Sequence, residues 1–296
     1  MSYSAVIRGI EEVIHDIHIT GVEFTPIKDV PNVNSTSSLT FESGDIKRGR
    51  TIKTCVMYVD IRDSIKLNQE AQVVTLGKIY TAFTKAVLLA ARHDGGCVRN
   101  IIGDRVMIIF PEEDCFQHAV HCAFLVNKVA KLIDKEFPSV KFQCGIGIDY
   151  GVMNVLKVGI DIRNDEKQEY KNLVWVGYPA NYASRLTDVA NKDVEEKYRV
   201  EGVTFFGKTY DYSKDNLLKS LCVRSGALYP NIYHSVSSIE PIKHHFPTIL
   251  VSESVYKGYE KNPGDDSITK GLWHKQDYSI RDIKFLVYGS DAYWSE

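Results

Sequence analysis

Two aspartates stand where apolar segments end. The β-branched run CVMYVDI (55–61) delivers Asp60, and Asp104 sits in the turn Gly103-Asp104-Arg105 between two further apolar runs. Aspartate is common at strand ends and in turns for purely conformational reasons, so neither position singly signals chemistry. As a pair brought to one end of a sheet by neighbouring strands, they form a hard oxygen site. Magnesium is held by one or two carboxylates together with substrate phosphates, and two such ions can clamp the attacking and leaving oxygens of an in-line displacement. Asp63 differs, because it stands where a helix begins and reads as an N-cap. Asn181 and Arg185, four residues apart on the helix after Pro179, share one face. A guanidinium fork matches phosphate oxygens and an amide can orient a ribose or phosphate oxygen, which suits a phosphoryl transition state; taken alone, a solvated helix face accounts for the pair equally well. His118, His121 and Cys122 have one-face spacing, but no second ligand pair accompanies them, so they read as a partly packed helix face. His244-His245 is too isolated for a site.

The elements that must position these groups are legible in the hydrophobic pattern. A packed helix is expected over residues 6–19 from Val6, Ile10, Val13, Ile14 and Ile17, followed by an irregular arm from Pro26 to Ser43. The basic cluster Lys47, Arg48, Arg50 and Lys53 reads as a solvated loop. From Cys55 to Asp60 a strand buried on both faces is expected, then a helix carrying Leu76, Ile79, Tyr80, Phe83 and Val87, stopped by Gly95-Gly96. Val98–Ile102 and Val106–Phe110 form a hairpin with Asp104 at its tip. A helix from about Cys115 to Ile133 and a strand over Phe142–Ile148 complete a β-α-β-β-α-β order. The fold class is therefore α+β, a ferredoxin-like sandwich with two helices on one face of an antiparallel sheet and the other face free. Beyond it come strands near Val152–Val158 and Leu173–Val176, a polar loop over Asp161–Lys171, a helix opened by Pro179, an unpatterned surface insertion at about 191–245, a short helix capped by Ser252, and a final strand in IRDIKFLVY. Residues 1–50 are expected as an N-terminal helix and arm, and 51–296 as a catalytic domain carrying the insertion.

The 296 residues are 44% hydrophobic, enough for a sizeable core, and 36 basic against 38 acidic residues give a formal charge of -2. That balance supplies no field for nucleic acid or an anionic membrane, so small molecules are the expected partners. Six scattered cysteines without a CxxC pair suit a reducing cytoplasm. The N-terminus has neither the basic region nor the apolar core of a signal peptide.

Four ordered segments carry a resemblance: YVDIRDS (58–64), NIIGDRVMIIF (100–110), GIGIDYG (145–151) and GYPANYASRL (177–186). Together they resemble the class III adenylyl and guanylyl cyclase family, over roughly residues 51–190 and the C-terminal strands. The resemblance implies two divalent metal ions (Mg or Mn) on Asp60, Asp104 and the Ile61 carbonyl, with Asn181 and Arg185 serving the transition state. It also implies a head-to-tail homodimer in which the carboxylates come from one subunit and the Asn/Arg pair from the other. The family's phosphate-gripping lysine has no clear counterpart, and Arg281 is the candidate. Adenylyl types place Lys where Asn100 stands and Asp or Thr where Val174 stands, and guanylyl types use Glu and Cys. This chain has neither set, and Val174 can form no hydrogen bond, so the usual purine-reading pair is missing. Tyr58, just before the metal aspartate, would on this resemblance narrow the pocket toward a smaller base, although a strand tyrosine is more often core packing. With the N-terminal arm and the late insertion, these features are similar to the bacterial pyrimidine cyclases of anti-phage Pycsar systems. That likeness implies a UTP or CTP substrate and a cyclic UMP or cyclic CMP product acting on a separate effector protein.

Three other readings stay open at this stage. One is an adenylate cyclase with an atypical base pocket, and another is an inactive cyclase-fold nucleotide-binding module. The third, a palm-type polymerase or diguanylate cyclase, is opposed by the near-neutral charge and the absence of a GGDEF turn.

Overall fold

The computed structural model describes residues 2–34, 39, 46–159, 171–205, 208–211, 233–261, 270–280 and 283–295. The chain divides into two units, Met1–Lys192 with Phe246–Glu296, and Asp193–His245. In the first, the elements run α1 (Tyr3–Ile19), β1 (Gly21–Pro26), β2 (Ile46–Ile61), α2 (Ser64–Glu70), α3 (Val73–His93), β3 (Cys97–Ile102), β4 (Arg105–Ile109), α4 (Cys115–Glu136), β5 (Cys144–Gly159), β6 (Lys171–Val176) and α5 (Tyr178–Val189). The second unit supplies β7 (Asp193–Phe205), β8 (Lys208–Asp211) and β9 (Tyr233–His245). The chain then returns to the first unit with β10 (Ile249–Ser252), α6 (Glu253–Glu260), β11 (His274–Ile280) and β12 (Ile283–Ser290).

The nine described strands of the first unit form one sheet in the order β11-β12-β10-β5-β2-β4-β3, with β1 added to β2 and β6 to β5. Most neighbours are antiparallel; β1 on β2 and β10 on β5 are parallel. Alternation along β2 sorts its side chains by face. Cys55, Met57, Val59 and Ile61 join the core under α3 and α4, which also holds Ile79, Phe83, Val87, Val120 and Phe124. Ile52, Val56 and Tyr58 belong to a smaller cluster on the opposite face with Met107, Ile109, Met153, Ala180 and Ala183. By length and composition α3 could cross a membrane, but its Ile79, Phe83, Val87 and Ala90 pack into the core.

That second face is not free, and the expectation that it would be is corrected. Helix α5 lies on it, seated on glycines. A Cβ built at Gly147 would fall 2.3 Å from the Ala183 carbonyl oxygen and 2.5 Å from the Thr187 nitrogen, and one at Gly145 would fall 2.6 Å from the Ala190 carbonyl oxygen. Only a strand without side chains at these positions lets a helix approach so closely.

Several other boundaries differ from the sequence reading. The strand expected from Cys55 begins at Ile46, and the two strands expected over 142–158 are one continuous β5. Between the expected helix and the arm expected from Pro26, residues Gly21–Pro26 form β1, in parallel register with Ile46–Thr51. Helix α1 forms where expected, with Ser2 accepting from the Ala5 amide, but none of its residues is buried, and Val6, Ile10, Val13, Ile14 and Ile17 are exposed. Gly95 supplies the left-handed turn after α3 at φ 69°. Asp63 precedes α2 at φ 52° without a side-chain cap bond, whereas Ser252 caps α6 through the Val255 amide. The segment read as unpatterned forms an antiparallel three-stranded sheet, β8-β7-β9. A register shift between Arg199 and Glu201 explains why the pattern was hidden: the apolar positions change parity from Tyr198 and Val200 to Val203 and Phe205.

Asp149 on β5 is 3% exposed. Its Oδ1 accepts from Ser254 Oγ at 3.5 Å, and its Oδ2 has no partner among the described residues. Burial raises its pKa against the opposing pull of hydrogen bonds from Ser252, the Tyr150 amide and Ser254. A carboxyl group whose folded pKa lies above its unfolded value contributes fully below the unfolded pKa, and that contribution is lost as pH rises through the folded one. Asp149→Asn, uncharged throughout, is therefore expected to approach wild-type stability in acid and to gain on it progressively as the pH rises through the range in which the buried carboxyl ionises. Thermal melts across this range check it, and a gap that fails to widen with pH contradicts it.

Candidate active site

Asp60 is the penultimate residue of β2, and Asp104 occupies the β3–β4 turn beside it. The antiparallel register of β2 with β4, Tyr58 opposite Met107 and Val59 opposite Val106, carries that turn to the end of β2. From β4, Arg105 reaches Asp60. Its Nη2 donates to Asp60 Oδ2 at 2.9 Å and to Asp188 Oδ1, and its Nη1 donates to Ser184 Oγ at 2.9 Å. Arg62 Nη2 donates to the same Asp60 Oδ2 at 3.1 Å, and Arg62 Nη1 reaches the Asp188 carbonyl at 3.4 Å. The Arg62 side chain is 2% exposed and that of Asp60 17%. The sequence reading missed this network of Arg62, Arg105, Ser184 and Asp188. The available signal was position: Arg105 immediately follows Asp104 and enters the strand paired with β2, so it faces Asp60.

Tyr58 lies on the same face as Asp60, one alternation earlier. Its row across the sheet is Asn100–Met107–Tyr58–Gly147. Asn100 belongs to that row because of a bulge. The β3–β4 register shifts between Val98 and Asn100; without the shift, Asn100 would oppose Val106 and face α3 and α4. Burial raises the Tyr58 pKa while the charge of Arg105 lowers it, with a net upward shift, so the phenol is a neutral hydrogen-bonding group.

The other predicted residues are not gathered on this row. Val174 is on β6, opposite Leu156 at the far end of β5, and is exposed on the face away from Trp175. Asn181 and Arg185 are exposed on α5, and neither contacts Asp60 or Asp104 in the recorded hydrogen bonds and ion pairs of the described residues. Ile61 buries its side chain in the core, so only its backbone is available. Arg281 lies outside the described residues. His121 packs edge-on against Tyr259 and Trp294. A cavity of about 500 Å³ lined by Lys85, Leu88, Leu89, Arg92, Gly96 and Val98 lies against α3 and shares no residue with this site.

The donor chemistry fits hard divalent cations. Two carboxylates and a strand-end carbonyl are oxygen ligands of the kind magnesium and manganese take. Both contacts to the Asp60 carboxylate fall on Oδ2, and Oδ1 accepts no recorded hydrogen bond among the described residues.

The adenylyl cyclase CyaB of P. aeruginosa superposes with a TM-score of 0.51 over 82% of this chain and 95% of its own, at 16% identity. The guanylyl cyclase Cya2 does so with a TM-score of 0.53 over 83% and 95%, at 12% identity. The fold is that of a class III cyclase catalytic domain. No family model matches, but a protein of Xanthomonas perforans named uridylate cyclase is 31% identical over 182 residues, 59% of this chain and 73% of that one. One of the same name from Burkholderia cepacia is 30% identical over 143 residues, 46% of this chain and 59% of its own. The match thus spans less than two thirds of the Burkholderia protein. Within the class III cyclases, the chain belongs to the uridylate cyclase family.

Proposed function

We propose that this protein is a pyrimidine nucleotide cyclase that converts UTP to 3',5'-cyclic UMP and pyrophosphate, working as a homodimer. The observation that carries this reading is the alternation of β2. Tyr58 and Asp60 leave it on one face, the first level with Asn100 and the second beside the Asp104 turn. A base-reading position thus adjoins a phosphate-end position on one strand. An amide such as that of Asn100 offers a donor and an acceptor, which suits the edge of uracil or cytosine equally; the names of the relatives favour UTP. Tyr58 fills space that a purine would need.

In the proposed reaction the ribose 3'-oxygen forms a bond to the α-phosphorus, the bond to the β-phosphate oxygen breaks, and the hydroxyl proton leaves to solvent. Two divalent ions, when held by Asp60, Asp104 and the Ile61 carbonyl, supply charge neutralisation along the triphosphate. Arg185 offsets negative charge developing at the α-phosphate and Asn181 orients the ribose, both from the second subunit, since on α5 they are exposed and apart from the carboxylates of their own chain. The cyclic product would act on a separate effector protein in anti-phage defence.

Incubation with ATP, GTP, CTP or UTP and Mn2+, followed by chromatography of the products, tests the proposal. Cyclic UMP is expected to exceed any cyclic purine by about a hundredfold. A predominant purine product overturns the base assignment. No product from a folded protein favours a nucleotide-binding module.

A further inference from the structure

Arg105 ties three groups together: Asp60 at the end of β2, and Ser184 and Asp188 one turn apart on α5. Arg62 and Arg105 therefore put two cations on one oxygen of the residue read above as a metal ligand. The two are not equivalent. Arg62 is encased, with 2% of its side chain exposed, packed where a Gly145 side chain would be, and bonded to backbone carbonyls. Arg105 is 29% exposed and has a second acid in Asp188. A divalent ion arriving at Asp60 brings like charge beside both guanidiniums, and only Arg105 has somewhere else to go.

We propose that Arg105 is the resting counter-cation of the metal site: it neutralises and positions Asp60 in the metal-free protein, and releases Asp60, while keeping Asp188 and Ser184, when a divalent ion binds. The inference rests on the reading of Asp60 as a metal ligand. Arg105 is a positioning residue whose strength of attachment sets how much metal the protein needs. The exchange is driven by metal, not by protons. Burial lowers the Arg105 pKa, but the hydrogen bonds and charges of Asp60 and Asp188 outweigh it and raise it overall, so the guanidinium stays charged at any working pH.

The test is Mn2+ binding without nucleotide, read from the EPR signal of free Mn2+ in titrations of the full chain, with thermal melts alongside. Arg105→Gln is expected to bind Mn2+ about five- to tenfold more tightly than wild type, because a competing like charge is gone. Its metal-free melting temperature should fall, and the gap to wild type should close at saturating Mn2+. Asp188→Asn, which leaves Arg105 with Asp60 as its one remaining acid, should weaken Mn2+ binding severalfold. A folded Arg105→Gln with unchanged or weaker binding overturns the proposal and leaves the metal site standing. If that variant does not fold, Asp188→Asn decides by itself, since unchanged or tighter binding there is equally fatal. Asp60→Asn is the separate control: if it binds Mn2+ like wild type, the metal-ligand reading fails rather than the role of Arg105.

Discussion

Asp104→Asn is expected to lower cyclic nucleotide formation by about three orders of magnitude while leaving the melting temperature unchanged, whereas Asp60→Asn loses both activity and stability. The difference follows from what each carboxylate does before substrate arrives. Asp60 Oδ2 accepts from Arg62 and Arg105. Removing its charge strands the buried Arg62 guanidinium, whose Nε has no partner among the described residues, and an unpaired buried charge costs about 3 kcal/mol. Asp104, in the β3–β4 turn, takes part in no ion pair recorded among the described residues. Its loss should therefore register in catalysis alone. Product chromatography and thermal melts of both variants separate the outcomes. If Asp104→Asn keeps more than about a tenth of wild-type activity, Asp104 is not a ligand, and the two-carboxylate account of the site fails.

The contrast between these aspartates also shows which parts of the site sequence can reveal. Both positions were legible because their signals are local: an unbroken apolar run before Asp60, and Gly-Asp between two apolar runs at Asp104. The β-α-β-β-α-β order, the stop at Gly95 and the Ser252 cap rest on similarly short-range chemistry. What escaped depends on partners distant in sequence. The first half of β2 carries Lys47, Arg48, Arg50 and Lys53 and reads as a loop, yet β1 and β5 hold it as a strand. Helix α5 shows by itself only a proline start and a polar face. Its seat is written elsewhere, in the alternating glycines of GIGIDYG, which become intelligible once the Ala183 carbonyl and Thr187 amide are found within 2.5 Å of where a Gly147 side chain would be. The bulge that turns Asn100 toward Tyr58 and the contact of Arg105 with Asp60 follow from strand register, which no periodicity reports. The helix over 6–19 was legible as a helix, but its apolar stripe does not reveal that the other described residues leave it exposed.

The second large effect concerns how many chains make a site. If Asp60 and Asp104 work with Asn181 and Arg185 of another copy, then Asp60→Ala and Arg185→Ala, each inactive alone, should recover activity when mixed. Random exchange makes about half of the dimers mixed, and each mixed dimer holds one site with both an intact acid pair and an intact Arg185, so about one quarter of wild-type activity is expected. A site contained in one chain predicts no recovery at any ratio. The geometry gives this experiment its force. Ser184 and Asp188 of α5 reach toward Asp60 of their own chain through Arg105, while Asn181 and Arg185 on the same helix are exposed without touching it. One helix would then serve two sites: through Ser184 and Asp188 it steadies the carboxylate end of its own, and through Asn181 and Arg185 it completes the transition-state contacts of its partner's. Asp188→Asn, which disturbs the first role by leaving Arg105 to Asp60, should leave the mixed-dimer recovery with Arg185→Ala partners intact, which separates the setting of Asp60 from the supply of Arg185.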